Sequence, residues 1–599
     1  MGQRKLIQWA LAYVAAAFAL IQVLDIVSQR FGWPDSAIRL LIIALVIGFF
    51  ATLVLAWYHG ERGSQRVSGV ELVVLALLLA LGGGWLWKVA QQPRPSVARS
   101  IGDGEAVPAA KANNPESAKS AAGAVQAKAA AMISEQSIAV LPLVNRSGDP
   151  ANEYFSDGLS DELISVLASV PNLKLIGRNS SFHFKNTQDD SRTIGEKLGV
   201  AKLLEGSVRK QDNRVIIAVD LINAADSRQL WSNRYDRELK DIFEVQSEIA
   251  KAVVAQLKLQ FGTANAMPQA STQNLDAYAA LQRGDAFRLK FSQADLRKAV
   301  TYYNDAINFA PDYAVAHARL SRVWRGLAAV WLDAPDVPEG YARARREAEQ
   351  ALRLAPDLAE AHLALAWVLE TPDFDLAGAE AEARIALQLA PGDTETKGAL
   401  TYMLASRGKM GEALDTWHEA LASNPFVASN HLFGTRILMG LGRYEEAAAS
   451  ARKAIEIEPS VSHAHTYLTM IALARGDIET AQREAVLEEK GFWLDFANTL
   501  VSQAKHEDAD ATLQRFIEQN EGIGSFQIAS LYALRNDPDA MFASLDRAFV
   551  NKDSGLTQLL SDPFIARYRG DRRFAAICEK LRVDCSSVDP RAGAPALIR

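Results

Sequence analysis

The chain has 599 residues, 49% of them hydrophobic, with 64 Lys and Arg against 71 Asp and Glu and a formal net charge of −7. One hydrophobic core rarely grows past about 250–300 residues, so at least three parts are expected. The acidic balance leaves no surplus of positive charge for phosphate backbones, and no nucleic-acid partner is expected.

Three apolar stretches open the chain, "LIQWALAYVAAAFALIQVLDIV" from Leu6, "AIRLLIIALVIGFFATLVLAWY" from Ala37 and "ELVVLALLLALGGGWLWKVA" from Glu71. Each approaches the roughly 20 residues that cross a bilayer, and the second and third follow too closely for a cleaved leader. Residues 1–90 are expected to be a three-span anchor. Arg4, Lys5, Arg62 and Arg66 balance Arg30, Arg39, Arg94 and Arg99, so charge gives orientation little weight. Residues 91–135 are rich in Ala, Lys, Ser, Pro and Gly with almost no large apolar side chain. Such a stretch cannot bury a core and reads as a flexible tether spanning about 35–40 Å.

From residue 136 the pattern becomes that of an α/β domain. "SIAVLPL" is a buried strand, and Leu159, Leu163, Ile164, Leu167 and Val170 then repeat at helical spacing. Ser160 is placed to cap that helix and Pro171 to end it. Asp161 and Glu162 then fall in the first turn, where acids suit the helix dipole, so the acidic cluster is read as capping rather than catalysis. "LKLIGR" is a second strand and "TIGEKLGV" a short helix. "LLEGSVRK", "VIIAVDLINA" and "QLWSNRYD" make an antiparallel meander. "DIFEVQSEIAKAVVAQLKL" closes the domain as an amphipathic helix with Ile242, Val245, Ile249, Val253 and Leu257 inward.

The words "IAVLPLVNRSGD", "YFSDGLSDELI", "LLEGSVRK" and "LWSNRYDR" resemble the TolB-amino-terminal-like (FlgO-like) domain of large bacterial membrane and signalling proteins, over residues 136–260. The resemblance implies that repeats follow the module. Some relatives carry a winged helix or a nucleotidyl cyclase domain at the amino terminus, where this chain has its apolar stretches, so those activities are not carried over. With three crossings and a short amino terminus in the cytoplasm, the resemblance implies a multi-pass protein of the inner (cytoplasmic) membrane whose soluble domains lie in the periplasm.

Pro311, Pro356, Pro391, Pro425 and Pro459 then mark a repeat, the last four 34 or 35 residues apart. Alanine stands five residues before each (Ala306, Ala351, Ala386, Ala420, Ala454) and twelve before each (Ala299, Ala344, Ala379, Ala413, Ala447). Leucine follows nine later, except at Gly434. A 34-residue period with small residues where paired helices touch resembles tetratricopeptide repeats. The fold class expected is therefore multidomain: three transmembrane helices, a small α/β domain, and an all-α solenoid over 275–585 ending in a helical cap.

No phosphate-binding loop, HExxH, GxSxG or dinucleotide fingerprint occurs, so no enzyme activity, catalytic residue, cofactor or metal site is expected. His317, His362, His431 and His465 fall on successive repeats and read as packing residues. Tetratricopeptide repeats bind protein or peptide partners along the inner helix face. The positions that correspond here are Arg322, Arg325, Trp367, Glu370, Tyr402, Arg436, Met439 and Met470, with Glu360 and His463 beside them; arginine and aromatic side chains are common interface anchors. Cys578 and Cys585 either pair in an oxidising compartment or remain thiols. The function expected is a membrane-anchored protein-interaction scaffold or sensor, the alternative being a signalling-enzyme subunit related to nucleotidyl cyclases or transcription regulators that carry the same module.

Overall fold

The computed structural model describes residues 133–259, 272–290, 292–330, 332, 335–520, 522–583 and 585. The first part runs β1 (Ser137–Val140), β2 (Val144–Asn145), α1 (Glu153–Ala168), β3 (Lys174–Leu175), α2 (Arg178–Phe182), α3 (Ser191–Leu198), β4 (Lys202–Gln211), β5 (Arg214–Asn223), β6 (Arg228–Glu238) and α4 (Ile242–Gln256). Every residue of β1 is fully buried, as a central strand covered on both faces requires. It pairs in parallel with β3 and β4, and β4–β5–β6 continue as an antiparallel meander, giving the order β3-β1-β4-β5-β6 with β2 beside β4. Ile138 and Val140 join α1 and α4 in one core, while Ala139 joins Phe184, Ile194 and Leu198 in another. Adjacent strand residues point to opposite faces, so the sheet is sandwiched.

The start of α1 differs from the sequence reading. Asp149 accepts the Ala151 N–H at 2.9 Å and starts a short 3₁₀ turn, so the helix begins at Glu153 rather than at Ser160. Ser160 lies inside it, its Oγ donating to the Ser156 carbonyl at 3.0 Å and accepting the Leu143 N–H at 2.9 Å. Asp161 and Glu162 are thus mid-helix, beyond the reach of the dipole at its first turn.

The remaining chain is a stack of antiparallel helix pairs: α5 (Leu275–Arg288) and α6 (Gln293–Phe309), α7 (Ala314–Val330) and α8 (Val337–Leu354), α9 (Ala359–Glu370) and α10 (Leu376–Leu389), α11 (Thr394–Ser406) and α12 (Met410–Ser423), α13 (Ala428–Gly440) and α14 (Tyr444–Ile457). Then follow α15 (Ala464–Ala474) and α16 (Ile478–Ala485), α17 (Phe492–Lys505) and α18 (Ala509–Asn520), α19 (Ser525–Leu534) and α20 (Pro538–Val550), with α21 (Arg572–Leu581) last. All ten periodic alanines are at most 1% exposed; their small volume lets paired helices close up. Gly434 breaks the leucine pattern because the Trp417 indole fills that space: a Cβ on Gly434 would lie 2.1 Å from it.

The repeat histidines are staples. His317, His362 and His431 donate from Nε2 to the carbonyl of the proline six residues before, at 3.1, 2.8 and 3.1 Å. Nδ1 of His317, His362 and His465 lies 2.6, 2.6 and 2.8 Å from Glu347, Glu382 and Glu484 on the following helix.

The expected fold class needs correction. The described chain is mostly a helical repeat solenoid with a small α/β region, and among the described residues no helix is long and apolar enough to cross a membrane. The physical reason is visible in α8, the longest at 18 residues, whose sequence "VPEGYARARREAEQALRL" keeps a charged face along its length. The three stretches expected to span lie outside the described residues.

Candidate functional site

The α/β module is seated on the solenoid through close backbone approach. The Gly177 N–H donates to the Ser423 carbonyl at 2.9 Å, and the Gly392 N–H donates to the Ala168 carbonyl at 2.7 Å. A Cβ on Gly177 would lie 2.2 Å from Thr394 Oγ1, and one on Gly392 would press on the Ala168 backbone at 3.0 Å, tighter than an ordinary contact. Asn424 is the hub. Its Oδ1 accepts the Ser180 hydroxyl at 2.6 Å and the Ser180 N–H at 3.2 Å, and its Nδ2 donates to Thr394 Oγ1 at 3.2 Å. Ser180 Oγ in turn accepts the Phe426 N–H at 2.9 Å. The His183 and Phe426 rings stack beside it, centroids 4.5 Å apart.

Between this seat and the inner helices lies a chamber of about 310 Å³, its walls formed by α1, Gly177 and the first residues of α2, the end of α5 and the inner faces of α7, α9, α11 and α13. Its side chains are strongly charged. Arg319 is a buried strut: Nε and Nη2 donate to the two Glu360 oxygens at 3.0 and 2.9 Å, and Nη1 donates to Asp285. Asp285 also accepts the Tyr303 hydroxyl at 2.7 Å. Arg322 reaches Glu395 through Nη1 at 3.0 Å. Burial pushes the Arg322 guanidinium down to about 10, with the nearby charge of Arg288 adding to it. Burial likewise pushes Glu162 up to about 7 and raises Asp161 and Asp393. At Glu360 burial acts in the same raising sense, but Arg319, Arg322 and Arg288 together outweigh it and hold the carboxyl below its usual range.

The eight expected partner-binding residues divide between two places. Arg322 and Trp367 line the chamber. The others form a ladder deeper along the inner face. The Arg325 guanidinium sits 4.6 Å over the Trp367 ring and donates to the buried Glu370 at 3.1 Å. Trp367 packs on Tyr402, ring centroids 5.4 Å apart, and Arg436 lies 4.6 Å over Tyr402. Met439 and Met470 are 3% and 6% exposed. The chain's own segment Ser554–Gln558 covers this end: Arg436 Nη2 donates to the Thr557 carbonyl at 2.9 Å, the Tyr402 and Thr557 hydroxyls meet at 2.8 Å, and the Tyr467 hydroxyl donates to Gln558 at 3.2 Å. At the far end Cys578 and Cys585 are joined by a disulfide, their Cα atoms 6.2 Å apart.

Sequence reasoning missed Arg178, Arg288, Arg319 and Asn424. One signal was present for Asn424: alanine precedes Pro311, Pro356 and Pro391, and Asn424 replaces it before Pro425.

One unit of the period is matched by a direct comparison. Residues 428–461 match the tetratricopeptide repeat family. This tetratricopeptide unit comprises α13 and α14. A curated relative, a putative adenylate cyclase 3 from Rhizobium meliloti, is 38% identical over 187 residues, which is 31% of this chain and 32% of the relative. The match thus spans about a third of that relative's length. Among solved structures, PilW, a widely conserved type IV pilus biogenesis factor, is 20% identical, covering 35% of this chain and 90% of its own with a TM-score of 0.29. YrrB, a tetratricopeptide repeat protein with an unusual peptide-binding site, is 23% identical, covering 32% and 90% with a TM-score of 0.22.

Proposed function

We propose that the chain is a protein-interaction scaffold that binds a protein or peptide partner on its tetratricopeptide solenoid, without turnover, and that its α/β part is the TolB-amino-terminal-like module that its sequence resembles. The observation that carries this reading is the occupied inner face. Ser554–Gln558 offers a backbone carbonyl to Arg436 and a hydroxyl to Tyr402, the contacts that an extended peptide would offer. A partner segment competes with this loop for the Trp367–Tyr402–Arg436 ladder. The Cys578–Cys585 bond supports an oxidising compartment such as the periplasm.

The test is affinity capture from crosslinked cells with the full chain, comparing wild type with a Trp367→Ala/Tyr402→Ala double variant. Loss of about 2 kcal/mol or more of partner affinity supports the reading; unchanged capture by a folded variant contradicts it. The relative named as a putative adenylate cyclase favours a second reading, a subunit of a signalling enzyme. Cyclase activity in the captured complex would decide for it.

A further inference from the structure

We propose that the chamber between the α/β module and the solenoid is a binding site for a small organic anion, a carboxylate or phosphate carried on a flat apolar body. The inference does not depend on the scaffold reading, since its ligand is a small molecule and its walls come from both parts of the chain.

Size is the first argument. A chamber of about 310 Å³ falls at the lower end of the roughly 300–1,000 Å³ typical of small-molecule sites. An α-helix with side chains is about 10 Å across and could not enter it.

The second argument is the four guanidinium groups gathered at the walls, set among the carboxylates Asp161, Glu360, Asp393 and Glu395. Arg178, Arg288, Arg319 and Arg322 all line the chamber, from the module in the first case and from the solenoid in the others. Arg319 is fully engaged with Asp285 and Glu360. The Nε atoms of Arg178 and Arg288 are buried and make no hydrogen bond among the described residues. The carboxylates beside them, Asp161 at 3.4 Å and Asp285 at 3.7 Å, contribute charge without hydrogen-bond geometry. These two Nε atoms are closed off from the chamber, so it is through the outer nitrogens of the Arg178 and Arg288 guanidiniums, residues that line its wall, that a ligand acceptor would be met.

Arg322 is the third. Its carboxylate partner, Glu395, has a side chain 51% exposed at the rim, so an incoming anion can take its place at little cost. Burial and the neighbouring Arg288 charge already disfavour the Arg322 cation, and a second negative group relieves that. Trp367 and Phe433 supply the apolar rings of the wall, against which a flat body can stack. Because Arg178 belongs to the module and Arg288 and Arg322 to the solenoid, such a ligand would tie the two together.

The experiment titrates the full chain with 1-naphthyl phosphate and 1-naphthoate by calorimetry, with inorganic phosphate as a third arm. The expected result is saturable one-to-one binding of at least one naphthyl probe, and the two arms distinguish phosphate from carboxylate. Arg288→Gln and Arg322→Gln should each weaken it about tenfold or more, the loss of one charge-assisted hydrogen bond, while Arg209→Gln, on an exposed position of β4, leaves it unchanged. If either arginine variant loses its fold, Trp367→Leu provides the check, lowering naphthyl binding and leaving inorganic phosphate as in wild type. No saturable binding of either naphthyl probe, or binding indifferent to the folded variants, overturns the proposal.

Discussion

Ser180 and Asn424, 244 positions apart, share two hydrogen bonds, from the serine hydroxyl at 2.6 Å and its N–H at 3.2 Å to one amide oxygen. Both residues are buried. One polar residue in a repeat turn thus joins the backbone contacts of Gly177 and Gly392 in seating the α/β module. Replacing Asn424 by Ala leaves Ser180 and Thr394 without their partner. A buried group left unpaired costs about 1–3 kcal/mol, so Asn424→Ala is expected to lower stability by roughly 2–3 kcal/mol in urea unfolding.

Gly434 and Trp417 should be coupled. Gly434→Leu restores the repeat pattern but drives into the indole, and overpacking costs about 1–3 kcal/mol. Trp417→Ala alone should cost about 3–5 kcal/mol through its cavity. The double variant is expected to be more stable than the sum of the two losses requires, by at least about 1 kcal/mol. Additive losses in a double-mutant cycle would show that the indole does not take the leucine's place.

Glu162 sets a pH dependence of defined sign. Burial raises its carboxyl from 4.5 to about 7 in the folded chain, so between those values the folded state holds more protons than the unfolded one. Stability contributed by this group is present below about pH 4.5 and falls as pH rises towards 7. After allowance for its partly exposed position the effect is on the order of 2 kcal/mol. Glu162→Gln removes it, so the gap in urea midpoint between variant and wild type should widen from pH 5 to pH 8. An equal gap at both values would contradict the assignment.

The covering loop should respond to the ladder beneath it. Tyr402→Phe deletes one hydroxyl contact to Thr557 and is expected to cost about 1 kcal/mol. Arg436→Ala removes both the 2.9 Å bond to the Thr557 carbonyl and the stacking on Tyr402, and amide exchange across 554–558 should accelerate well beyond that in Tyr402→Phe. Equal exchange in wild type and Arg436→Ala would show that the loop is held by other contacts.

The repeats were legible because their signal is local. Each alanine and proline serves the helix pair it belongs to, so the spacing of 34 or 35 residues from Pro356 to Pro459, with the same two alanines before each proline, exposes the repeats. The strands of the module were legible for the same reason, as runs of apolar or alternating residues. Its first helix was misplaced because Ser160 looks like a cap in sequence, although Asp149 and the 3₁₀ turn after it start the chain turning earlier. What could not be read was how the solenoid's inner face is used. Arg436 and Tyr402 carry the chemistry of partner anchors, and here their partner is Thr557, 121 and 155 residues onward. A side chain chosen to hold an outside peptide and one chosen to hold the chain's own loop are the same side chain.

The seating of the module on the solenoid is tested most directly by photo-crosslinking. A benzophenone residue in place of Phe426, whose ring stacks on His183 at 4.5 Å, is activated in the full chain and the adducts are mapped by mass spectrometry. The expected result is an adduct within residues 177–185 of the same chain, lost or reduced in Asn424→Ala. Efficient crosslinking to any other part of the chain, with none in 177–185, would contradict the seat and with it the chamber that depends on it.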